Sequence, residues 1–122
     1  MEFRPPAILL IEKDDVTLEL YRRELSKSFE VLSFTEIDGV LEVIAKRNIQ
    51  AVIIEPEICS GQGWRLINSI DAAFPDRSIP VIVCSTRDTR NGISPSSITK
   101  YLIKPVLPKE LNEKTLEVVK RK

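Results

Sequence analysis

The sequence predicts an α/β fold in which a parallel sheet is covered by helices on both faces. Short apolar segments alternate along the chain with segments whose apolar residues recur at helical spacing, a pattern typical of repeated strand–helix units. The short segments are apolar throughout rather than at every second residue, as expected for strands buried on both faces. We therefore expect right-handed crossovers that place helices on both sides of the sheet.

Five segments are predicted to be strands because they are short and rich in β-branched residues and leucine. They comprise residues 7–11, 31–34, 51–54, 81–84 and 101–103. All five are apolar enough to be buried on both faces, which favours a parallel arrangement over an antiparallel one.

Four segments are predicted to be helices because their apolar residues lie three or four positions apart. The first is capped by Asp14 or Asp15, the second begins at Thr35, the third is ended by Pro75 and the last begins at Pro108. The inward-facing positions are Leu18, Tyr21 and Leu25; Ile37, Val40, Leu41 and Ile44; Trp64, Ile67, Ile70 and Phe74; and Leu111, Leu116 and Val119.

A further crossover helix is expected between the fourth and fifth strands, within residues 85–100. The middle of this segment, residues 90–97, consists largely of turn residues and is poor in helix formers. We predict that the helix there is short, distorted or absent. Because the chain contains no internal repeat and no linker, residues 1–122 are expected to form a single domain.

The composition excludes several function classes. Eighteen basic and eighteen acidic residues cancel, so we expect neither nucleic acid nor an anionic membrane as a partner. The chain has no histidine, which removes the commonest zinc ligand and the commonest general base. Neither a membrane span nor a signal peptide is indicated, and a cytoplasmic location is the default expectation.

The residues that follow the predicted strands define the candidate site, because ligands of open parallel sheets bind beyond the carboxyl ends of the strands. They are Glu12, Lys13, Asp14 and Asp15 after the first strand; Glu55, Pro56 and Glu57 after the third; Ser85 and Thr86 after the fourth; and Lys104 and Pro105 after the fifth.

This arrangement resembles the receiver domains of two-component response regulators over nearly the whole chain. The matching elements, in order, are Ile8–Asp15, Ala51–Glu55, Gly63, Ile79–Ser85 and Tyr101–Pro105. The resemblance implies a flavodoxin-like (βα)5 fold with strand order 2-1-3-4-5, and phosphorelay signal transduction as the function. In that family an aspartate accepts a phosphoryl group from a histidine kinase with the help of Mg²⁺, and the bond between the lysine and the proline is typically cis.

The resemblance also assigns roles to single positions. Glu55 is the phosphoacceptor equivalent, and Glu12 and Lys13 are the acidic-pocket equivalents. Ser85 and Lys104 correspond to the residues that grip the phosphoryl oxygens, and Tyr101 corresponds to the aromatic switch residue.

Four departures from the family pattern indicate a pseudo-receiver. Glu55 is one methylene longer than aspartate, so its oxygens occupy space that the phosphoryl group needs. Lys13 cannot ligate Mg²⁺ and repels it. Pro56 removes a backbone N–H from the loop, and the bulk of Thr86 crowds access to the site. We therefore expect no enzymatic activity, no cofactor, no catalytic residue and no bound metal, with Mg²⁺ binding weak or lost.

In place of the metal, we expect a closed ion-pair cluster. Lys13 and Lys104 supply two cations that can face the carboxylates of Glu12 and Glu55. The simpler alternative for Lys13 is a solvated loop lysine. Ser85 and Tyr101 also have plain alternatives, as a strand-end hydroxyl and a half-buried core tyrosine.

Three functions remain open. The first is a signalling module that binds a partner protein without phosphorylation, through the face formed by the fourth helix, the fifth strand and the fifth helix. The second is a working receiver that still accepts phosphate. The third is another flavodoxin-like protein, such as a flavin carrier or a small enzyme. It is disfavoured because residues 12–15 are charged where the phosphate-binding loop of a flavin carrier needs serine, threonine or glycine. If the first holds, the resting state is either active-like, with Glu55 imitating phosphoaspartate, or locked and inactive.

Overall fold

The computed structural model describes residues 5–86 and 98–120, which form one parallel five-stranded sheet in the order β2-β1-β3-β4-β5. This confirms the predicted flavodoxin-like α/β architecture and its strand order. The described elements, in chain order, are β1 (Ala7–Ile11), α1 (Asp15–Leu25), β2 (Glu30–Phe34), α2 (Val40–Lys46), β3 (Ile49–Ile54), α3 (Ile58–Ala73), β4 (Val81–Ser85), β5 (Ile98–Ile103) and α4 (Pro108–Lys120).

Apolar side chains on the two faces of the sheet form separate cores. Successive residues of a strand point to opposite faces, so Leu9 packs with α2 and α3 on one side, while Ile8 and Leu10 pack with α1 and α4 on the other. Strands β1, β3 and β4 are almost wholly buried. The prediction that all five strands are buried on both faces is wrong for β2 and β5, because these edge strands are covered less completely. Across the described segments, every helix is too short or too polar to span a membrane.

Two predicted boundaries differ from those observed by three residues or more. Helix α2 begins at Val40 and not at Thr35, because Gly39 adopts a left-handed conformation (φ 85°) and the preceding residues form bends and a turn. Strand β5 begins at Ile98, three residues before its predicted start. The predicted degraded helix between β4 and β5 falls on residues 87–97, outside the described residues.

Helix α3 starts with an irregular turn that shapes the candidate site. Cys59, Ser60 and Gly61 all have left-handed backbone conformations, with φ of 51°, 58° and 89°. Beyond this turn, Gly63 lies so close to the preceding loop that an added Cβ would come within 2.7 Å of the Pro56 backbone. The segment from Pro56 to Gly63, which includes the irregular start of α3, is therefore packed back onto itself.

Candidate functional site

The parallel register brings Glu12 and Glu55 together at the carboxyl edge of the sheet. Ile11 of β1 pairs with Ile54 of β3, so the residues that follow each of them are neighbours. The amide of Glu55 donates to the carbonyl of Ile11 at 2.9 Å, which extends the ladder to the acceptor-equivalent position. Both glutamates are only 2% exposed. Two carboxylates are thus buried side by side, as the topology predicted.

Lys104 connects these two carboxylates. Its Nζ lies 2.6 Å from Oε1 of Glu12 and 3.2 Å from Oε1 of Glu55. Its side chain is 15% exposed, and its amide donates to the carbonyl of Ser85 at 2.7 Å. The peptide bond between Lys104 and Pro105 is cis, as the resemblance implied. One ammonium group therefore takes the central position in the pocket.

Pairing dominates the ionisation of Lys104. Burial by itself would lower the pKa of this ammonium group, since it penalises the charged form. The hydrogen bond to Glu12 and the negative charges of Glu12 and Glu55 act in the opposite direction and together raise the pKa of Lys104 above its usual value. The lysine is therefore held in its charged form at neutral pH.

The second oxygen of each glutamate accepts a backbone N–H. Asp14 donates to Oε2 of Glu12 at 3.2 Å, and Glu57 donates to Oε2 of Glu55 at 3.0 Å. The expected effect of Pro56 therefore needs correction, since the loop N–H that points at the site belongs to Glu57 and is present. Asp14 also caps α1 by accepting from the amide of Thr17 at 2.9 Å. All four carboxylate oxygens of the buried pair thus have partners.

Lys13 does not join this cluster, so the expected arrangement of two cations facing two carboxylates is wrong. Its side chain is exposed, and no ion pair links it to any residue of the ranges 5–86 and 98–120. The position directly after β1 points into the pocket and is occupied by Glu12. Lys13, one residue further, points to solvent and matches the simpler alternative. Lys104 alone supplies the positive charge that the described pocket contains.

The pocket is a poor fit for Mg²⁺. This ion prefers several oxygen ligands in octahedral geometry, but Oε1 of both buried glutamates faces the ammonium of Lys104. In the described part of the chain, no group of three or more acidic, cysteine or histidine side chains could hold a metal. The residues that are present therefore disfavour the metal that the resemblance implies.

Two further predicted positions, Ser85 and Thr86, lie near the pocket and differ in exposure. Ser85 is completely buried at the end of β4, whereas Thr86 is exposed. Thr86 and Lys104 share the lining of a surface depression of about 400 Å³, together with Tyr21 and Val106. Thr86 therefore stands at an opening beside the lysine, where its bulk can limit access.

Tyr101 is half-buried on β5 and packs against the core on the α3 side of the sheet. Its ring stacks with that of Trp64, with centroids 6.3 Å apart and an interplanar angle of 25°. Trp64 was predicted as an ordinary core residue, and Glu57 was noted only for its place after β3. Neither the stack nor a role for Glu57 was expected from the sequence.

Several solved structures of receiver domains have the same fold. A CheY-like receiver domain from Methanospirillum hungatei superposes with a TM-score of 0.84 at 19% identity, covering 96% of this chain and 95% of its own. The chain has the receiver-domain fold. A signal receiver domain of an HD-domain protein from Pseudomonas fluorescens shares 24% identity at a TM-score of 0.79, covering 98% of this chain and 100% of that one.

A third solved structure with this fold is a complex with Mg²⁺ and BeF. It is the response regulator TrrA from Thermotoga maritima in complex with Mg²⁺ and BeF, which is 20% identical at a TM-score of 0.79, covering 93% of this chain and 98% of that one. No protein-family model and no curated protein sequence matches the chain. At these identities the receiver fold is what the chain shares with its structural neighbours.

Proposed function

We propose that this receiver-fold domain is a cytoplasmic signalling module that binds a partner protein without a normal cycle of aspartyl phosphorylation. One observation carries the proposal: both carboxylate oxygens of Glu55 are engaged within the protein. Oε1 faces Nζ of Lys104 at 3.2 Å, and Oε2 accepts the N–H of Glu57 at 3.0 Å. Each oxygen of this carboxylate is already drawn into a contact within the protein, which makes it a weaker nucleophile toward a phosphorus atom.

The electrostatics of the pocket support the same conclusion. Phosphoryl transfer depends on cations that neutralise the charge developing on the transferred group. Here the ammonium of Lys104 is already paired with Glu12 at 2.6 Å and with Glu55 at 3.2 Å. Lys13, at the position where the family uses a carboxylate, points to solvent. We infer that Lys104 replaces part of the metal's work in holding the two glutamates together and is not available for phosphoryl oxygens.

The competing function is a working receiver that accepts phosphate slowly. Its support is the retention of Ser85 and Lys104 at one edge of the sheet, joined through the Lys104 amide and the Ser85 carbonyl. The same edge places Gly63 against the loop that follows β3. This scaffold suits phosphoryl binding, so the two functions differ in the chemistry of positions 13 and 55.

The proposed partner surface is the face of the fourth helix, the fifth strand and the fifth helix, through which receivers transmit their signal. The structure describes two parts of it, β5 and the last helix α4. The half-buried place of Tyr101 on β5 suits a fixed surface, and the pairing of Glu55 with Lys104 suits a pocket that does not switch. The active-like and the locked inactive resting states both remain as alternative predictions. No part of the proposal requires nucleic acid, a membrane or enzymatic turnover.

Treatment with acetyl phosphate and Mg²⁺, followed by intact-mass spectrometry, tests the proposal. We expect no phosphate adduct on the native domain. The double variant Glu55→Asp with Lys13→Asp serves as the positive control, because it restores the acidic residues of the family pattern. A phosphate adduct on the native domain that disappears in Glu55→Gln would favour the working receiver.

Mg²⁺ titration provides a second test, followed by the fluorescence of Trp64 or by amide chemical shifts. We expect no saturable binding at the pocket of Glu12 and Glu55, because the ammonium of Lys104 already occupies the space between the carboxylates. Saturable binding with a dissociation constant below about 1 mM, the range of weak extracellular calcium sites, would contradict the expected loss of the metal.

A further inference from the structure

The ring of Tyr101 on the edge strand β5 is packed against Trp64 of α3. The centroid distance of 6.3 Å lies within the range at which aromatic rings attract one another, and the interplanar angle is 25°. Both rings are partly buried against the same core cluster. The stack therefore ties an edge strand of the sheet to a helix that starts beside the acidic pocket.

Trp64 is itself anchored by Glu57. The indole Nε1–H donates to Oε2 of Glu57 at 3.3 Å, and the backbone N–H of Glu57 donates to Oε2 of Glu55 at 3.0 Å. Glu57 is only partly exposed, so this hydrogen bond competes less with water than one on the open surface. A single residue thus touches both the acceptor-equivalent carboxylate and the tryptophan that contacts Tyr101.

The irregular start of α3 makes the contact between Glu57 and Trp64 possible. In a regular α-helix, residues seven positions apart are separated by about 10.5 Å along the axis, which makes a hydrogen bond between their side chains unusual. The left-handed turn at Cys59, Ser60 and Gly61 lies between the two residues and interrupts this regular geometry. Two of these residues are not glycine, and left-handed backbone is unfavourable for them. The fold thus tolerates a strained turn that brings the carboxylate to the indole.

We propose that Glu57 and Trp64 form a positioning pair that fixes the ring of Tyr101. In this chain the place of the switch-equivalent tyrosine is then set by the fold itself and does not respond to phosphoryl chemistry at Glu55. The inference rests on the proposed function for the meaning of Tyr101 as a switch equivalent. The test of the inference measures only the environment of the Tyr101 ring, so the inference and the proposed function can fail separately.

The chain is well suited to ¹⁹F NMR after incorporation of 3-fluorotyrosine. It contains two tyrosines and one tryptophan, so Tyr21→Phe assigns the Tyr101 resonance and the indole N–H gives a single proton signal. Tyr21 serves as an internal reference because it lies in the other core and donates its hydroxyl to the carbonyl of Val106 at 2.9 Å. Movement of the Tyr101 resonance alone reports a local change that a general loss of stability would not produce.

Substitutions at Trp64 test the stack. In Trp64→Leu we expect the Tyr101 resonance to shift or broaden while that of Tyr21 stays in place. Trp64→Phe keeps a ring but loses the N–H donor, so a smaller shift of Tyr101 is expected, and this variant decides the matter if Trp64→Leu does not fold. A Tyr101 resonance that is unchanged in both variants would overturn the proposal.

Substitutions at Glu57 test the anchor. Glu57→Leu removes the acceptor and should shift both the indole N–H signal and the Tyr101 resonance, whereas Glu57→Gln keeps an acceptor oxygen and should shift them less. Glu113→Leu, at an exposed position of α4, is the matched control and should shift neither. In the Trp64→Phe background, Glu57→Leu should add no further shift. Unchanged signals in Glu57→Leu would remove Glu57 from the pair.

Acetyl phosphate separates this inference from the proposed function. If the native domain forms an adduct while the Tyr101 resonance stays in place, the proposed function fails and the positioning pair stands. If the Tyr101 resonance moves on phosphorylation with Trp64 intact, the positioning pair is overturned as well. In the Glu55→Asp, Lys13→Asp variant, we expect phosphorylation to leave Tyr101 in place unless Trp64→Leu is also present.

Discussion

Each end of the sheet has an ion pair, but the pair at the carboxyl end is buried and the pair at the amino end is exposed. At the carboxyl end, Lys104 holds two glutamates whose side chains are 3% and 1% exposed. At the amino end, Arg47 pairs with Glu30 at 2.7 Å, but these side chains are 41% and 49% exposed. The distances are similar, whereas the exposed fractions of the side chains differ greatly, so burial is the main contrast between the two sites.

Burial changes what each pair can contribute. An exposed pair is screened by water and salt and stabilises a protein by about 0–1 kcal/mol. A buried pair gains little relative to an apolar core, but removing one partner leaves an uncompensated charge. The carboxyl-end cluster is further constrained because one ammonium faces two carboxylates. This end of the sheet is therefore sensitive to single substitutions, whereas the amino end is tolerant of them.

The largest difference should appear when each cation is replaced by methionine, which retains much of the aliphatic stem. Lys104→Met leaves two buried glutamates without a cation, and we expect a loss of about 3 kcal/mol in the free energy of unfolding. Arg47→Met is the matched control and should change it by about 1 kcal/mol or less. Urea denaturation at neutral pH measures both. Equal effects of the two substitutions would mean that burial does not distinguish the ends.

Alkaline pH should destabilise the same cluster less than Lys104→Met does, because a neutral lysine can still donate a hydrogen bond. The folded pKa of Lys104 lies above its usual value because of its pairing with Glu12 and Glu55. The corresponding stabilisation is present below the unfolded pKa of lysine, about 10.4, and is lost as pH rises through the folded pKa.

Urea midpoints measured from about pH 9 to about pH 11 check this. Burial also raises the pKa of Tyr21, which weakens the fold over the same pH range in every variant. The informative quantity is therefore the difference between the native chain and Lys104→Met, which should shrink as pH rises. A difference that stays constant would contradict the role given to Lys104.

At the carboxyl end of the sheet, removing one carboxylate should change the free energy of unfolding less than removing the lysine does. In Glu55→Gln, Lys104 retains Glu12 at 2.6 Å, and the amide oxygen can still accept the N–H of Glu57. We expect a change of less than about 1.5 kcal/mol in the free energy of unfolding, of either sign, because repulsion between the carboxylates is also relieved. If Glu55→Gln lowered the free energy of unfolding as much as Lys104→Met, the pairing of Lys104 with Glu55 would be the main source of the cluster's stability.

The central parts of this site could be predicted because parallel topology determines them. Strands that run in one direction end at one edge, so Glu12 and Glu55 had to lie close together once β1 and β3 were recognised as neighbours. Lys104 follows β5, three strands from β1, and its place in the site came from the resemblance to receiver domains. The direction of Lys13 could not be predicted in the same way. Beyond the last residue of a strand, alternation no longer holds, and the loop backbone decides which side chain enters the pocket.

Other misses arose where local backbone geometry overrides the apolar pattern. The spacing of Ile37 and Val40 suggested a helix from Thr35, but the left-handed Gly39 delays its start to Val40. Similarly, nothing in the residue types of Cys59 and Ser60 indicates a left-handed turn. The contact between Glu57 and Trp64 across that turn could therefore not be predicted from their spacing in the sequence.

The close approach of Gly63 to Pro56 also limits how the chain can diverge. The three atoms that an added Cβ would meet are the Cα, carbonyl carbon and carbonyl oxygen of Pro56, which every amino acid possesses. No substitution at position 56 could therefore compensate for a side chain at position 63. A homologue with alanine at position 63 needs a different backbone between positions 56 and 63. In future alignments, glycine at position 63 can therefore serve as a marker of chains that share this loop conformation.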